Sequence, residues 1–409
     1  MPHPEATPRT AAAKREPAVD VFTAFLKLGL TSFGGPIAHL GYFREEFVVR
    51  KKWLDDRIYA DLVALCQFTP GPASSKVGIG IGLAKAGLPG ALAAWLAFTM
   101  PSALALLLFA YGVETFAGNL GAGWLHGLKV VAVAVVAQAV WGMAKNLCPD
   151  PPRFTLAVAA AAIAMVWPTS AGQVAAIALG GIAGCTLLQA KRDEAHVDMN
   201  VSLGKSVGAF SLVLFFGLLL GLPIAAALYP SQPLALFDSF YRAGSLVFGG
   251  GHVVLPLLQS EVVPPGWVSN DVFLAGYGAA QAVPGPLFTF AAYLGAVMGP
   301  EPNGWQGALL CLVAIFLPAF LLTIGVLPFW DDLRRFQAVR SALTGVNAAV
   351  VGLLLAALYN PVWTSAIKAP ADFGLGLAAF ALLVFWKLPP WLVVVLSAVG
   401  GWALEKMAS

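Results

Sequence analysis

Long apolar runs, separated by short polar stretches, fill almost the whole chain. The apolar segments lie near residues 21–41, 60–84, 88–113, 124–147, 154–168, 171–189, 207–229, 236–258, 271–299, 305–330, 338–359, 371–386 and 389–404. Many of them approach the length of about 20 residues with which a helix crosses a bilayer. Because lipid leaves no partner for free backbone groups, the pattern predicts an all-α polytopic membrane protein.

Two helix-breaking stretches interrupt these segments, and each occurs twice. The stretch Phe33-Gly34-Gly35-Pro36 recurs as residues 248–251, and the stretch 67–72, with its Pro-Gly-Pro, recurs as residues 281–286. Breaks at matching places in two halves are typical of secondary transporters and point to the binding site. Further matched pairs are Phe25 and Phe240, Lys27 and Arg242, Gly29 and Gly244, Glu46 and Glu261, Trp53 and Trp267, and Pro101 and Pro318.

Loop charges predict that the two halves have inverted topology. Five basic residues lie within 42–58, whereas the matching loop 259–270 has no Lys or Arg. Loop 114–123 has none either, whereas its partner 331–340 has three. Since basic residues favour the cytoplasmic side, the bias reverses between the halves, and the extra segment 207–229 supplies the odd crossing.

The predicted organisation has five parts. They are a disordered cytoplasmic tail (1–20), a first repeat (21–190), a polar linker (191–206), a connecting helix (207–229) and a second, inverted repeat (236–405). The charge rule also predicts that broken segments enter and leave on one side, giving nine crossings, four re-entrant hairpins and an external C-terminus. The alternative is that every segment crosses.

Composition excludes several classes of function. The chain is 59% hydrophobic and 11% charged, with a net charge of +3, so a soluble catalytic domain and nucleic-acid binding are not expected. Its four cysteines form no CxxC pair, so neither a disulfide framework nor a metal site is predicted. We expect no enzyme activity and no cofactor.

The breaks predict an anion site. Each half-helix N-terminus offers free N–H groups and a partial positive charge near the bilayer midplane. The candidate substrate-binding residues are Gly34, Gly35, His39, Gln67, Thr69, Gly71, Ser74, Ser75, Lys76, Arg242, Gly249, Gly250, His252, Gln281, Gly285 and Thr289, with Lys27, Pro36, Pro72 and Pro286 in supporting positions.

The basic candidates have alternative interpretations. Lys76 lies in an apolar run, where a lysine is costly and marks a functional site by default. It either contacts the anion, extends to an interface, or pairs with Asp61. Its counterpart Phe290 makes the site asymmetric. Lys27 and Arg242 either face the cavity or anchor near the headgroups.

The polar uncharged candidates also have alternative interpretations. His39 and His252 follow the first break of each half. They are either anion ligands, proton carriers or ordinary packing residues. Gln67 and Gln281 precede the second breaks, where they either donate N–H groups to an oxyanion or cap the broken backbone.

These motifs resemble the chromate ion transporter family in its long-chain, two-domain form. The resemblance rests on residues 33–39 and 67–72 and on their second-half counterparts 248–252 and 281–286. It implies a bacterial inner-membrane protein that exports chromate and confers resistance, with sulfate as a related oxyanion. The second half departs from the pattern, because Gly251 stands in the place of Pro36.

The leading hypothesis is a secondary carrier that exports chromate by alternating access. The alternatives are a carrier for sulfate or another oxyanion, an anion channel, and a membrane enzyme. Expected partners are the anion and the bilayer, with a homodimer left open because no interface is identifiable. The expected location is the inner membrane, with a cytoplasmic N-terminus.

Overall fold

The computed structural model describes residues 16–33, 35–120, 123–188, 203–248, 251–333 and 336–408. Most of the predicted tail and linker therefore lies outside the described residues. The same holds for three of the candidate site glycines, which are Gly34, Gly249 and Gly250.

The first half is built from helices that end at the predicted breaks. They are α1 (Ala18–Thr31), α2 (Gly35–Arg44), α3 (Asp56–Phe68), α4 (Ala73–Leu120), α5 (Gly123–Leu147), α6 (Pro151–Val166) and α7 (Ser170–Leu187). Helix α8 (Lys205–Leu228) follows as the connecting segment, and its apolar side chains are mostly exposed. A helix exposing Phe210 and Leu220 in this way suits contact with lipid.

The second half repeats the order. Its helices are α9 (Gln232–Leu246), α10 (Val254–Val262), α11 (Asn270–Ala280), α12 (Phe290–Val297), α13 (Gly304–Val326), α14 (Trp330–Leu333), α15 (Gln337–Ala357), α16 (Thr364–Ala366), α17 (Pro370–Val384) and α18 (Pro390–Ala408). Short 3-10 turns, Gly251–Val253 and Leu287–Thr289, lead into α10 and α12.

The prediction of an all-α membrane protein is confirmed. The described residues contain helices and no strand. The stretches long and apolar enough to cross a membrane are Ala73–Gly112, Gly123–Leu147, Lys205–Leu228, Gly304–Phe329 and Gln337–Ala366.

Helix α4 is a hairpin rather than one straight rod. Its backbone leaves the helical conformation at Ala86 and Gly87, where Gly87 has φ +66°. A Cβ on Gly82 would lie 2.2 Å from the carbonyl oxygen of Gly90, so the two arms touch backbone to backbone. Arm 73–85 is about 20 Å long, shorter than the bilayer core of about 30 Å. Its re-entrant placement stays a prediction.

The second half forms the same hairpin from α12 and α13. A Cβ on Gly295 would lie 2.2 Å from the carbonyl oxygen of Gly307, which is the equivalent contact of backbone on backbone. Only glycine permits such an approach. The two repeats therefore share a structural device as well as their motifs.

The last helices of the two halves are exchanged. Helix α5 packs against α17 and α18 of the second half, and α15 packs against α6 and α7 of the first. These helices form one bundle, and α1, α4, α8, α9, α12 and α13 form another. Each bundle contains helices of both repeats. The broken helices meet α5 where the two bundles adjoin.

Candidate binding site between the broken helices

The breaks of the two halves contact each other through crossed hydrogen bonds. The amide of Gly71 donates to the carbonyl of Val247 at 2.7 Å, and the amide of Gly285 donates to the carbonyl of Ser32 at 2.9 Å. Both glycines have a positive φ, +105° and +103°, which an L side chain rarely adopts. The Pro-Gly-Pro loop of each half thus completes the first break of the other.

A cavity of about 70 Å³ lies beside this contact, with room for a few water molecules or a small ion. Residues of both repeats line it: Gly35, Pro36, Val135, Gln138, His252, Ala280, Gln281, Val283, Gly285, Leu287 and Pro390.

Residues at the starts of three helices line this cavity. Gly35 is the first residue of α2, His252 lies in the turn that leads into α10, and Leu287 opens the turn that leads into α12. Free N–H groups at these ends carry partial positive charge. None of the lining residues is an Asp or Glu, so the lining favours an anion.

Gln281 lines the cavity, whereas its repeat counterpart Gln67 does not. The Nε2 of Gln281 is buried, and no described residue accepts a hydrogen bond from it. Gln67 is exposed on α3. Because a buried N–H group without a partner is costly, the Gln281 amide is a candidate donor to a ligand at this site.

His252 contributes a second polar group to the lining. Its Nδ1 lies 2.7 Å from the hydroxyl of Tyr277, which is fully buried. Among the described residues nothing pairs with the ring's other nitrogen, Nε2. The histidine is held through Nδ1, and its Nε2 has no partner among the described residues.

His39 has a different role in the structure. It is 1% exposed, with Nε2 at 3.2 Å from the carbonyl oxygen of Ser32 and Nδ1 at 3.3 Å from the hydroxyl of Ser74. A carbonyl only accepts, so in the neutral ring Nε2 carries the hydrogen and Nδ1 accepts from Ser74. Both nitrogens are used to join the two breaks of the first half.

Lys76 caps the end of α3. It is fully buried, and its Nζ donates to the Thr69 carbonyl at 2.5 Å, the Thr69 hydroxyl at 2.8 Å and the Pro70 carbonyl at 2.8 Å. An ammonium has three hydrogens, and all three are used. The positive charge also suits the negative end of a helix dipole. Because Lys76 is fully buried and its ammonium bonds Thr69 and Pro70, it neither extends to an interface nor pairs with Asp61 in this structure.

Arg242 and Lys27 form equivalent ion pairs away from the cavity lining. Arg242 bonds Glu261 at 2.8 Å and Asp238 at 3.0 Å, and Lys27 lies 3.5 Å from Glu46. The cationic and the anionic positions match between the repeats. The structure therefore assigns both cations to pairs with carboxylates.

The remaining hydroxyl candidates differ from each other. Thr289 donates to the carbonyl of Pro286 at 2.8 Å, which caps the turn before α12. Ser75 is 3% exposed, and its hydroxyl has no hydrogen-bond partner in the described part of the chain. Pro72 precedes the α4 arm without lining the cavity.

Two polar residues at the site are absent from the sequence-based candidates. Gln138 lines the cavity from α5, where it is an isolated amide in the apolar run 130–140. Tyr277 lies on α11, four residues before Gln281. Residues with this spacing share one face of a helix. An isolated amide and an i, i+4 pair of polar residues are the signals that would have found them.

The comparisons with known proteins agree with the repeat. The family model described as Chromate transporter matches residues 19–185 and again 234–402. This chain belongs to that family, and both of its repeats carry the family pattern. No solved structure matches the chain.

Full-length relatives come from several bacteria. The chain is 30% identical to a chromate transport protein of Pseudomonas aeruginosa, over 93% of this chain and 91% of that protein. It is 28% identical to a probable chromate transport protein of Synechococcus elongatus, over 92% and 93%. It is 26% identical to a chromate transport protein of Cupriavidus metallidurans, over 92% and 90%.

Proposed function

We propose that this member of the chromate transporter family is a secondary carrier that exports chromate across the cytoplasmic membrane and thereby confers resistance. The observation that supports it best is the cavity between the crossed breaks. Residues at the starts of three helices line it together with Gln281, whose amide nitrogen has no partner among the described residues, and no carboxylate is among its lining residues. A doubly charged oxyanion needs such a shell of N–H donors.

Alternating access would take place between the two helix bundles. Because α5 and α15 each pack on the other half, the moving bodies are not the two repeats themselves. Motion of the α5–α15 bundle against the α4–α13 bundle would open the cavity first to one side and then to the other. Gly35 and Gly285, which flank the breaks, line the cavity together with Val135 and Gln138 of α5, so the cavity lies where these bodies meet.

Loop charge supports the orientation. The loop 42–58 contains five basic residues, and Arg44 in it is paired with Asp56 at 2.7 Å. We place this loop and the N-terminus in the cytoplasm. Cysteine labelling from outside the cell tests this, since a cysteine introduced at the exposed position Lys51 should stay unlabelled until the membrane is opened.

Transport in inside-out membrane vesicles tests the function. Vesicles with the chain should take up chromate with saturation, and preloaded chromate should accelerate the uptake by exchange. Uptake that never saturates and shows no exchange would indicate a channel. Competition by sulfate compares the two anions, and stronger transport of sulfate than of chromate would replace the proposed substrate.

A matched pair of variants tests the site. Gln281→Met removes the cavity amide at nearly constant volume, and Gln67→Met makes the same change at the exposed counterpart. A hydrogen bond to a charged group contributes about 1.5–3 kcal/mol, so Gln281→Met should raise the KM for chromate about 10- to 100-fold. Gln67→Met should leave the KM unchanged, and equal effects of the two would remove the cavity from the proposal.

A further inference from the structure

The pair of His252 and Tyr277 has a defined donor and acceptor. The Tyr277 hydroxyl is fully buried, and its one hydrogen bond within the described residues is to His252 Nδ1, at 2.7 Å. A buried O–H needs an acceptor, and none other is present among them. The hydroxyl therefore donates, Nδ1 accepts, and the neutral ring carries its hydrogen on Nε2.

The tyrosine itself is fixed by its packing. Its ring contacts Phe290 edge to face, with 5.7 Å between the ring centroids. Phe290 also stacks on Tyr293, with 6.0 Å between their centroids. Phe290 occupies the repeat position that Lys76 has in the first half. Where the first half has a lysine cap, the second half therefore has an aromatic cluster that contacts the cavity residue His252 through Tyr277.

The same histidine lines the cavity with Gln281, whose amide has no partner among the described residues. Gln138 faces the cavity from α5. His39 makes an instructive contrast, because both of its nitrogens bond to protein groups. Within the described part of the chain, His252 is the one of these two histidines with a ring nitrogen that bonds no protein group.

We propose that Tyr277 is a positioning residue, which fixes the tautomer and the rotation of His252 so that Nε2–H donates to the transported oxyanion beside Gln281. This inference rests on the proposed function for its ligand. Its first step, the tautomer, does not depend on transport. A ring held in one orientation donates without first losing rotational freedom, which is why a group that touches no anion affects affinity.

A double-variant cycle separates positioning from packing. Tyr277→Phe keeps the ring against Phe290 and should weaken chromate binding roughly three- to tenfold, the range of one net hydrogen bond. His252→Gln keeps an N–H donor at about the place of Nε2 and needs no tyrosine. Adding Tyr277→Phe to His252→Gln should therefore cost no further affinity.

Two controls complete the cycle. His252→Asn places its amide near Tyr277 but does not reach the cavity, so it should weaken binding at least as much as Tyr277→Phe. A structural role predicts the opposite pattern, with Tyr277→Phe weakening binding equally in the native and the His252→Gln backgrounds. That result would overturn the proposal. Thermal unfolding of each variant in detergent identifies any that fails to fold.

A measurement on the ring is independent of transport. In the nitrogen-15 spectrum of the histidine-labelled chain, the His252 signals are those lost in His252→Gln. We expect Nδ1 without hydrogen and Nε2 with it, and a change in Tyr277→Phe. A protonated Nδ1 in the native chain would overturn the proposal. If the chain neither binds nor moves chromate, the proposed function fails while this tautomer result stands.

Discussion

The amide of Gly285 donates a hydrogen bond to the carbonyl of Ser32 at 2.9 Å, and so joins the last break of the chain to its first. The repeat-related bond runs from Gly71 to Val247 at 2.7 Å. Each glycine has a positive φ, so both loops depend on a residue without a Cβ.

Gly285→Ala should destabilise the chain more than Gly71→Ala. A Cβ at 285 would lie 2.9 Å from the Ser102 hydroxyl, whereas the nearest atom at 71 is 3.6 Å away. The backbone cost alone is about 1–2 kcal/mol at either site. Thermal unfolding and chromate uptake measure the difference. Gly217→Ala on α8, where a Cβ meets open space, is the neutral control. Equal unfolding temperatures for all three would contradict the geometry.

Lys76→Met should lower the stability of the folded chain, with little effect on its affinity for chromate. The change leaves the carbonyls of Thr69 and Pro70 without their donor, at roughly 1–3 kcal/mol for a buried acceptor. The unfolding temperature should fall, while the KM of the folded fraction for chromate changes little. Lys145→Met is the control, since that ammonium lies over the Trp141 ring at an exposed position.

The reverse result for Lys76 is equally informative. An unchanged unfolding temperature with a much higher KM would mean that the ammonium leaves its three acceptors to bind the anion. Chromate accumulation in cells expressing Lys76→Ala extends the test, provided that the amount of inserted protein is measured beside it.

Arg242→Gln should cost more stability than Lys27→Gln. Removing Arg242 leaves Asp238 and Glu261, whose side chains are 10% and 9% exposed, without their shared cation. Breaking a buried pair in this way costs about 3–5 kcal/mol, and the partial exposure of Arg242 places the loss near the lower end. Lys27 is 54% exposed, so its loss should stay below about 1 kcal/mol.

A second change checks that the carboxylates cause the loss. Glu261→Gln in the Arg242→Gln background removes one unpaired charge and should restore part of the unfolding temperature. No recovery would show that the arginine acts by packing, through its stem, rather than by its charge.

Ser74→Ala should weaken the contact between the two breaks of the first half without weakening substrate binding. The change removes the donor to His39 Nδ1, a loss of about 1 kcal/mol. Ser75→Ala is a matched neighbour, because the Ser75 hydroxyl has no partner among the described residues. We expect a lower unfolding temperature for Ser74→Ala and an unchanged unfolding temperature for Ser75→Ala. A higher KM for Ser74→Ala than for Gln281→Met would move the site toward the first half.

The helix breaks were easier to locate from the sequence than the contacts of their side chains. Clustered glycines and prolines favour a break in a helix, so the interruptions at 33–36 and 67–72 and their repeats could be located from local chemistry alone. The exchange of α5 and α15 between the halves could not, because it depends on contacts far apart in sequence.

The charged candidates show why the contacts of side chains were harder to predict from the sequence. Lys76 and Arg242 were candidates because a charge in an apolar run is costly and needs a reason. The reason in the structure is a protein partner, and nothing in the local sequence indicates that Glu261 lies 2.8 Å from Arg242. Gln67 and Gln281 stand at one repeat position, yet one is exposed and the other lines the cavity. Symmetry in sequence thus did not predict symmetry in burial.

The crossed bonds also have a consequence for how the chain is made. Ser32 leaves the ribosome long before its partner Gly285, which is 253 positions later. In the same way, Gly71 is made before its partner Val247. The first repeat must therefore stay in the membrane during synthesis with an open backbone at its breaks. A ribosome that stalls within the second repeat would leave an inserted but incomplete chain, which quality-control proteases could recognise by those unpaired groups.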